Sequence, residues 1–443
     1  MFKRFLMLVI LLSLTVASGL GVQPARAAVT ELKISWAQWA PADYLQTLVK
    51  DYEAKTGIKV TVLQEPWGTF GDKTAAEWAA KGTSYDLIVG DSQWLGQGAT
   101  QGHYVELTDF MKSNGIDKTV TPATLKYYGE YPTGSGKYWA YPTEGDANGF
   151  AYRKDLFENK DEMAAFKAKY GYDLAVPQTW QQLMDIAKFF TRKDKGLYGA
   201  AIYTQKDYDA ITMGFQNVFW GYGADWYDAN YKVEGVLNTE GGVKALEFYK
   251  ELYDCCSPPG LNNAFFQEMN DAFTSGQAVM AMNYFAFFPA LANKATNKFA
   301  EGTGYFVMPK GPTGAQFAAL GGQGMSVNAY LPKDRMDAAF DFLKWFAQEE
   351  VQAKWADLGG YTCNINVLKS DKFLKVAPFN AAFAQTMNMV KDFTNIPEYG
   401  AMLPIIQSAL HNYVVGGKGT AKEALDGVAK EWTQILKDAG YQK

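Results

Sequence analysis

The chain has 443 residues, of which 48% are hydrophobic and 20% are charged, and its formal net charge is −5. Because domains typically contain about 100–200 residues, this length excludes a single compact core and predicts two lobes. The mild negative charge and the lack of a basic run exclude a nucleic-acid-binding protein of the usual basic kind.

The first residues have the pattern of a secretory signal peptide. Lys3 and Arg4 precede an almost unbroken apolar stretch over residues 5–16, and the small-residue sequence Ala25-Arg26-Ala27 follows it. The pattern predicts cleavage after Ala27. Since the apolar stretch is shorter than the roughly 20 residues that span a bilayer, we expect export to the periplasm as a soluble protein and not a membrane anchor.

The three cysteines are Cys255, Cys256 and Cys363. An exported protein can oxidise its cysteines, so a disulfide is expected. Neighbouring Cα atoms lie about 3.8 Å apart, whereas disulfides prefer roughly 4.4–6.8 Å, so a bridge between the adjacent pair would be strained. A bridge from one of the pair to Cys363 fits the sequence as well, and the pairing stays open.

The mature chain opens with alternating strands and helices. Residues 32–35 predict a strand, Pro41 suits the start of a helix, and Gly57 suits its end. A second strand over residues 58–62, a helix to about Lys81 and a short buried strand over residues 86–90 follow. This order predicts a parallel sheet with helices on both faces, the α/β class.

The pattern changes after Tyr141. Thr179 and Gln182 form a capping box ahead of an amphipathic helix. Residues 277–287 predict a strand that opens into an aromatic loop, and residues 321–330 predict a glycine-led strand followed by a helix. No repeat and no low-complexity linker occurs, which favours two lobes between which the chain passes more than once over two domains joined by a linker.

Several segments together resemble a known family. These are TELKISWAQWAPADYLQTLVKDYEAKTGIKVTV, SYDLIVGDSQWL, YWAYPTEGDANGFAYRKDLF, VPQTWQQL, FTSGQAVMAMNYFAF, LGGQGMSV and LGGYTCNINVL. In this order they resemble the family 1 extracellular solute-binding proteins of ABC importers, the group that includes maltose-binding-protein-like sugar-binding proteins. The sequence departs from the family at Tyr361-Thr362-Cys363, where the familiar loop often carries Pro-Thr-Arg.

The resemblance implies a two-lobed periplasmic-binding-protein fold of the type II kind, with the ligand in a cleft between the lobes. It places the N-lobe at residues 28–141 plus 308–355 and the C-lobe at 142–307 plus 356–443. The crossover segments fall near 141–146, 303–308 and 355–358. It also implies a monomer that delivers its ligand to an ABC permease with a cytosolic ATPase.

Ligands of open α/β sheets bind beyond the carboxyl ends of the strands, and aromatic, acidic and amide side chains occupy those positions here. The predicted ligand-binding residues are Trp36, Gln38, Trp39, Trp67, Asp91, Gln93, Trp94, Glu144, Asp146, Trp220, Tyr222, Asn283, Tyr284, Phe285, Gly322, Gln323 and Tyr361.

These residue types predict a neutral carbohydrate, a monosaccharide, disaccharide or short oligosaccharide. Flat aromatic side chains cover the C–H faces of a sugar ring, and carboxyl and amide groups pair with its hydroxyls. The mature chain has only three arginines, Arg153, Arg192 and Arg335, so it is poorly equipped to clamp a phosphate.

The alternatives within the fold are a polyol, a sugar phosphate, a polyamine or ferric iron. An exported glycosidase-like enzyme, with Asp91 and Glu144 as its carboxylates, is a further alternative. Because no hydrolase or metal-binding motif occurs, we expect a binding protein that is not an enzyme and has neither a cofactor nor a metal.

Overall fold

The computed structural model describes residues 29–207, 209–392 and 394–442. The predicted signal peptide at residues 1–27 lies outside this part of the chain. Within the described residues, no helix is long and apolar enough to cross a bilayer.

The first sheet has five strands in the order β2-β1-β3-β10-β4. β1 pairs in parallel with β2 and β3, whereas β10 runs antiparallel to both β3 and β4. A strand from a distant part of the chain therefore lies between two early ones. The strands are β1 (Glu31–Ala37), β2 (Lys59–Glu65), β3 (Leu87–Asp91), β4 (Tyr141–Glu144) and β10 (Gln323–Val327).

The second sheet has four strands in the order β6-β7-β5-β8, and a small parallel pair, β9 with β11, lies apart from it. β5 is antiparallel to both β7 and β8, and β6 is parallel to β7. The strands are β5 (Asn148–Arg153), β6 (Tyr198–Ala201), β7 (Ala278–Tyr284), β8 (Thr303–Phe306), β9 (Ala318–Ala319) and β11 (Val390–Lys391).

Nineteen α-helices occur in the described part of the chain. They are α1 (Ala40–Thr56), α2 (Trp67–Ala79), α3 (Leu95–Thr100), α4 (Thr108–Ser113), α5 (Pro122–Thr124), α6 (Lys154–Phe157), α7 (Lys160–Tyr170), α8 (Trp180–Phe190), α9 (Ala210–Gly221), α10 (Glu240–Cys256), α11 (Phe266–Thr274), α12 (Pro289–Ala292), α13 (Lys333–Phe346), α14 (Glu349–Leu358), α15 (Ile365–Lys369), α16 (Asp371–Val376), α17 (Asn380–Thr386), α18 (Tyr399–Val414) and α19 (Ala421–Asp438).

Local sequence signals explain the ends of several helices. Pro41 lies in the first turn of α1, and Gly57 ends that helix in the left-handed conformation with φ 76° while its N–H donates to the Glu53 carbonyl. The predicted capping box of Thr179 and Gln182 is present at the start of α8. These short-range rules work because capping depends on residues within one turn of each other.

The hydrophobic residues form two separate cores, one around each sheet. The chain first passes between them after β4, so that β5 begins the second sheet. The second passage comes near residue 321 and not within the predicted 303–308. Residues 303–306 are a strand of the second sheet, and Met308 and Leu320 pack in the second core. The third passage of the chain between the cores comes within α14, where Trp355 packs in the first core and Ala356 in the second.

The disulfide joins Cys255 to Cys256 at the end of α10. Of the two pairings that the sequence allowed, the structure contains the one between neighbours. Cys363 is a free thiol with no exposed surface, packed in the first core.

Candidate ligand cleft

A cavity of about 790 Å³ lies between the two lobes. Its first-lobe wall follows the ends of β1, β2 and β3, and its second-lobe wall comes from the segment before α9, the start of α11, the end of β7 and the first turns of α18. The lining residues are Trp39, Trp67, Gly68, Gly71, Asp72, Asp91, Gln93, Trp94, Asp146, Gln205, Asp207, Asp209, Phe265, Phe266, Gln267, Glu268, Tyr284, Phe287, Gly321, Gly400, Leu403, Pro404 and Gln407.

Three half-buried tryptophans form the first-lobe wall. Trp39 immediately precedes α1, Trp67 is the first residue of α2, and Trp94 follows β3 in a short 3₁₀ turn. The rings of Trp39 and Trp67 meet edge to face with centroids 5.5 Å apart, and Phe70 packs against Trp94 at 5.1 Å. Because β1, β2 and β3 are parallel, their carboxyl ends bring these rings to one edge of the sheet.

Three phenylalanines and one tyrosine form the second-lobe wall. Phe266 and Phe287 stack with centroids 4.1 Å apart and an interplanar angle of 9°. Phe265 packs edge to face against Tyr284 at 6.3 Å. Of these, Tyr284 was predicted from the sequence, Phe287 could not be assigned from it, and Phe265 and Phe266 were not predicted. Adjacent aromatics just before a helix, in Ala264-Phe265-Phe266, were the available signal.

Asp146 lies at the seam between the walls, just after β4. Its Oδ1 accepts hydrogen bonds from the backbone N–H groups of Ala147 at 2.8 Å and Ala286 at 3.1 Å, and its carbonyl accepts from Gly321 at 3.0 Å. Burial raises the pKa of Asp146 to about 8, despite these hydrogen bonds. An acid with this pKa is largely protonated at neutral pH and has a proton to donate to a ligand oxygen.

Asp91 and Asp209 approach the cavity from opposite lobes. Asp91 ends β3, where its side chain accepts from the Gln93 N–H, and Asp209 immediately precedes α9. Burial, with a smaller contribution from the charge of Asp91, raises the pKa of Asp209 well above its usual range. Asp209 was not among the residues predicted from the sequence, since no strand end or family segment marks it.

None of the described residues that line the cavity is Lys, Arg or His. The three arginines of the described residues instead form two-point ion pairs, Arg153 with Asp155, Arg192 with Glu162 and Arg335 with Asp86, at 2.5–2.7 Å. The arginine side chains are therefore engaged away from the described lining of the cavity.

The lobes touch beside the cavity. The Gly96 N–H in α3 donates to the Asn395 carbonyl at 3.0 Å, and the Asn395 side chain donates to the Glu130 carbonyl at 3.4 Å. A Cβ atom on Gly96 would lie only 2.0 Å from that Asn395 oxygen, so the lobes meet this closely only because residue 96 is glycine.

Of the predicted site residues, the structure brings Trp39, Trp67, Asp91, Gln93, Trp94, Asp146 and Tyr284 to the cavity. Trp36 and Gln38 lie elsewhere. Trp36 is fully buried, donates its indole N–H to Gln323 and packs against Trp355, with ring centroids 6.2 Å apart. Gln38 is exposed outside the cavity. The two tryptophans of the opening segment thus have different positions, because Trp36 is still part of β1 and Trp39 follows its end.

Four predicted residues of the second lobe lie outside the cavity lining. Trp220 is in α9, a helix buried on all sides, and not in a loop; Tyr222 caps that helix and packs against Phe248. Asn283 is fully buried and accepts a hydrogen bond from the Tyr203 hydroxyl at 2.7 Å. Phe285 is buried in the second core. Trp220, Asn283 and Phe285 are buried because their neighbours inside the second lobe are apolar or form hydrogen bonds with them.

The remaining predicted residues, Glu144, Gly322, Gln323 and Tyr361, lie around the crossovers and not on the cavity wall. Glu144 is fully buried and accepts from the Tyr361 N–H at 3.3 Å, while the Tyr361 hydroxyl donates to the Phe285 carbonyl at 2.6 Å. Because Glu144 does not share the cavity with Asp91, the carboxylate pair considered for a glycosidase is not assembled there.

Comparison with known proteins identifies the family. Residues 36–353 match the family described as bacterial extracellular solute-binding protein. The chain belongs to this family. The family resemblance predicted from the sequence is therefore confirmed.

Individual relatives extend over nearly the whole chain. A probable amino-acid ABC transporter periplasmic-binding protein of Sinorhizobium fredii is 24% identical over 408 residues, which are 91% of this chain and 89% of that protein. An ABC transporter solute-binding protein of Agrobacterium radiobacter K84, solved with ribitol, has a TM-score of 0.78 and 26% identity over 92% of this chain and 99% of that one.

Maltose-bound MalE3 of T. maritima has the same fold. Its TM-score is 0.77 at 23% identity, over 92% of this chain and 100% of that one. The predicted two-lobed α/β fold is thus confirmed. The chain is a solute-binding protein of the ABC transporter type, a class of binding proteins and not of enzymes.

Proposed function

We propose that this protein captures a carbohydrate without phosphate or carboxylate groups, in the simplest case a neutral monosaccharide, disaccharide or short oligosaccharide. The observation that carries the proposal is a cavity of about 790 Å³ with an aromatic wall on each lobe. A sugar ring has two apolar faces and a rim of hydroxyls. Trp39, Trp67 and Trp94 on one side and Phe265, Phe266 and Phe287 on the other suit those faces.

Polar side chains between the walls suit the hydroxyl rim. Asp91, Gln93, Asp146 and Gln407 all line the cavity. Each buried polar group left without a partner costs about 1–3 kcal/mol, so a ligand with correctly placed hydroxyls is favoured over one without them. Carboxyl and amide groups provide both donors and acceptors for this purpose.

The lining disfavours acidic ligands. A sugar phosphate or the carboxylate of an amino acid is usually held by Arg or Lys, and none of the described lining residues is basic. This argument separates the present chain from the S. fredii relative, whose name indicates amino acids. It leaves sugars and also polyols, such as the ribitol bound to the A. radiobacter protein.

A polyamine is the second candidate, favoured by the acidic lining of the cavity, and the aromatic walls would also suit its ammonium groups. Ferric iron receives less support. No group of three or more His, Cys, Asp or Glu side chains placed to hold a metal occurs in the described part of the chain.

Capture occurs by closure of the two lobes on the ligand, and the closed protein then docks on a membrane permease powered by a cytosolic ATPase. The ligand shifts the equilibrium because it contacts both walls only in the closed form. We propose that the protein acts as a monomer in the periplasm, after removal of the signal peptide at residues 1–27.

The test is a thermal-shift and tryptophan-fluorescence titration with neutral sugars, polyols, sugar phosphates, amino acids and polyamines. A ligand at 100 times its Kd stabilises the fold by about 2.7 kcal/mol. We expect neutral sugars to change both signals and phosphorylated sugars to change neither. Tight binding of a sugar phosphate without binding of its neutral parent would overturn the proposal.

A further inference from the structure

The Asp, Glu, Lys, Arg and His side chains described in the cavity lining are all of one type, the acidic one. Six acidic residues contribute to the lining, and none of its other described residues is basic. They come from both lobes and from the crossover between them. The acidic residues are Asp72, Asp91, Asp146, Asp207, Asp209 and Glu268.

Asp209 has the least compensated position among them. Its side chain is only 5% exposed, and its buried Oδ1 has no hydrogen-bond partner. Leaving a buried carboxylate oxygen without a partner is costly, so the site is incomplete as it stands. A second buried lining group, Nε2 of Gln407, also lacks a partner.

Burial opposes the ionisation of Asp209, whereas the adjacent helix start favours it. Asp209 immediately precedes α9, a helix of 12 residues, and the positive end of a helix dipole favours a carboxylate. No side-chain capping bond uses that carboxylate at the helix start. Asp91 faces it from the first lobe, and the charge of Asp91 further disfavours ionisation of Asp209. A positive charge between the two would offset both their repulsion and the cost of burial.

The aromatic walls of the cavity also suit a positively charged group on the ligand. The electron-rich faces of Trp, Tyr and Phe attract ammonium groups at a distance within about 6 Å. Trp39 and Trp94 lie on the Asp91 side, and Phe265 and Tyr284 lie on the opposite wall.

We infer that the carbohydrate or polyol carries a protonated amine, which is held between Asp91 of the first lobe and Asp209 of the second. This inference rests on the proposed function and narrows the ligand to an amino sugar or an aminated polyol. A neutral sugar can donate a hydroxyl to each carboxyl group but brings no positive charge to offset the burial of Asp209.

The test compares matched pairs of ligands that differ in one amine. D-glucosamine is compared with D-glucose, and N-methyl-D-glucamine with D-sorbitol, by calorimetric and thermal-shift titration of the full mature chain at pH 6.5. Because a hydrogen bond to a charged group contributes about 1.5–3 kcal/mol, we expect the aminated member to bind roughly tenfold or more tightly than its neutral partner.

Variants test which side chains cause the preference for the aminated ligand. Asp209→Asn keeps the size of the side chain, and we expect it to weaken the aminated ligand much more than its neutral partner and so to remove most of the preference for the amine. Asp91→Asn is the second variant, and it tests the same charge pair from the other lobe if the first does not fold. Asp109→Asn is the control, since Asp109 is exposed on α4 outside the cavity, and it should keep the preference.

The outcomes separate the inference from the proposed function. If neutral members bind as tightly as aminated ones, or if both Asn variants keep the preference, the inference fails and carbohydrate capture stands. If no member of either pair binds while another neutral sugar does, the inference fails and carbohydrate capture stands. If no hydroxylated probe binds, or if spermidine binds far more tightly than all of them, both fail. Amine-dependent binding that is lost in the Asn variants supports both.

Discussion

The two walls of the cleft are built in different ways. On the first lobe, three parallel strands end side by side, and Trp39, Trp67 and Trp94 follow those ends directly. On the second lobe, the aromatic wall comes from the residues around the start of α11 and from the turn after β7. Asp209, before α9, extends this wall.

This difference explains why the first wall is easier to predict from the sequence than the second. The first wall follows a general rule of α/β sheets, so residues only a few positions beyond each predicted strand are brought together. The second wall joins segments near residues 205, 266, 287 and 403, whose proximity depends on how helices pack on a mixed sheet.

The largest effects are expected for Trp36 and Trp39, whose substitution should change different quantities. Trp36→Ala should lower the free energy of unfolding by about 3–5 kcal/mol, because it empties a fully buried site. Trp39→Ala should instead weaken the tightest-binding sugar by about tenfold or more, as expected for an aromatic anchor, with a small change in stability. Denaturant titration and calorimetry measure the two quantities. Equal loss of affinity per folded molecule in both variants would contradict the assigned positions.

Asp146, at the seam between the walls, should make the free energy of unfolding depend on pH. The pKa of Asp146 is about 8 in the fold, and an unfolded Asp titrates near 4. The folded state therefore holds the proton more tightly, so the stabilisation from this carboxyl is full below about pH 4 and is lost as the pH rises to 8. Asp146→Asn should reduce the loss of unfolding free energy between pH 5 and pH 8 by a few kcal/mol.

Urea titrations of both proteins at pH 5 and pH 8 measure this difference. Asp161→Asn, at an exposed position of α7, is the matched control and should leave the wild-type pH dependence unchanged. The prediction would be wrong if Asp146→Asn lost as much stability between these pH values as the wild type.

The contact between the lobes predicts an effect on closure. Gly96→Ala places a Cβ atom 2.0 Å from the Asn395 carbonyl, so the lobes must separate by a small distance. Because affinity falls with the fraction of molecules that can close, we expect a loss of about tenfold. Calorimetry measures the affinity, and small-angle scattering with ligand measures the separation.

Gly427→Ala provides the control for this substitution. Gly427 is exposed in α19 with open space around its Cβ position, so alanine there should raise stability by up to about 1 kcal/mol and leave affinity unchanged. If Gly96→Ala bound ligand as tightly as the wild type, the contact at Asn395 would have no role in closure.

The smallest effect is expected on the second wall. Phe266→Ala removes one ring of a stacked pair, and Phe287 remains to cover part of the ligand. Since an aromatic pair contributes about 0.5–1.5 kcal/mol beyond its buried area, we expect a loss of affinity of roughly threefold to tenfold. Phe266→Leu keeps an apolar side chain without a flat face. If it retains full affinity, burial and not stacking is what Phe266 contributes.

Much of the fold was predicted from local patterns. The strand and helix order from residue 31 to residue 91, the Pro41 and Gly57 helix ends and the Thr179 capping box agree with the structure, because each depends on residues within one or two turns. The point at which the chain returns to the first lobe was placed too early. Residues 308–320 have no regular pattern, and their membership in the second core follows from long-range packing.

The family, the two-lobed α/β architecture, the tryptophans near the strand ends and the scarcity of arginine could all be read from the amino-acid sequence. These follow from strand order, short motifs and composition, which are properties of neighbouring residues. Only the tertiary structure decided that Trp39 lines the cleft while Trp36 packs in the core, that Cys255 bonds to Cys256, and that Asp209 faces Asp91. The reason is physical: which side of a core a residue reaches, and which distant acid it meets, depends on how the two lobes pack and not on the residues beside it in the chain.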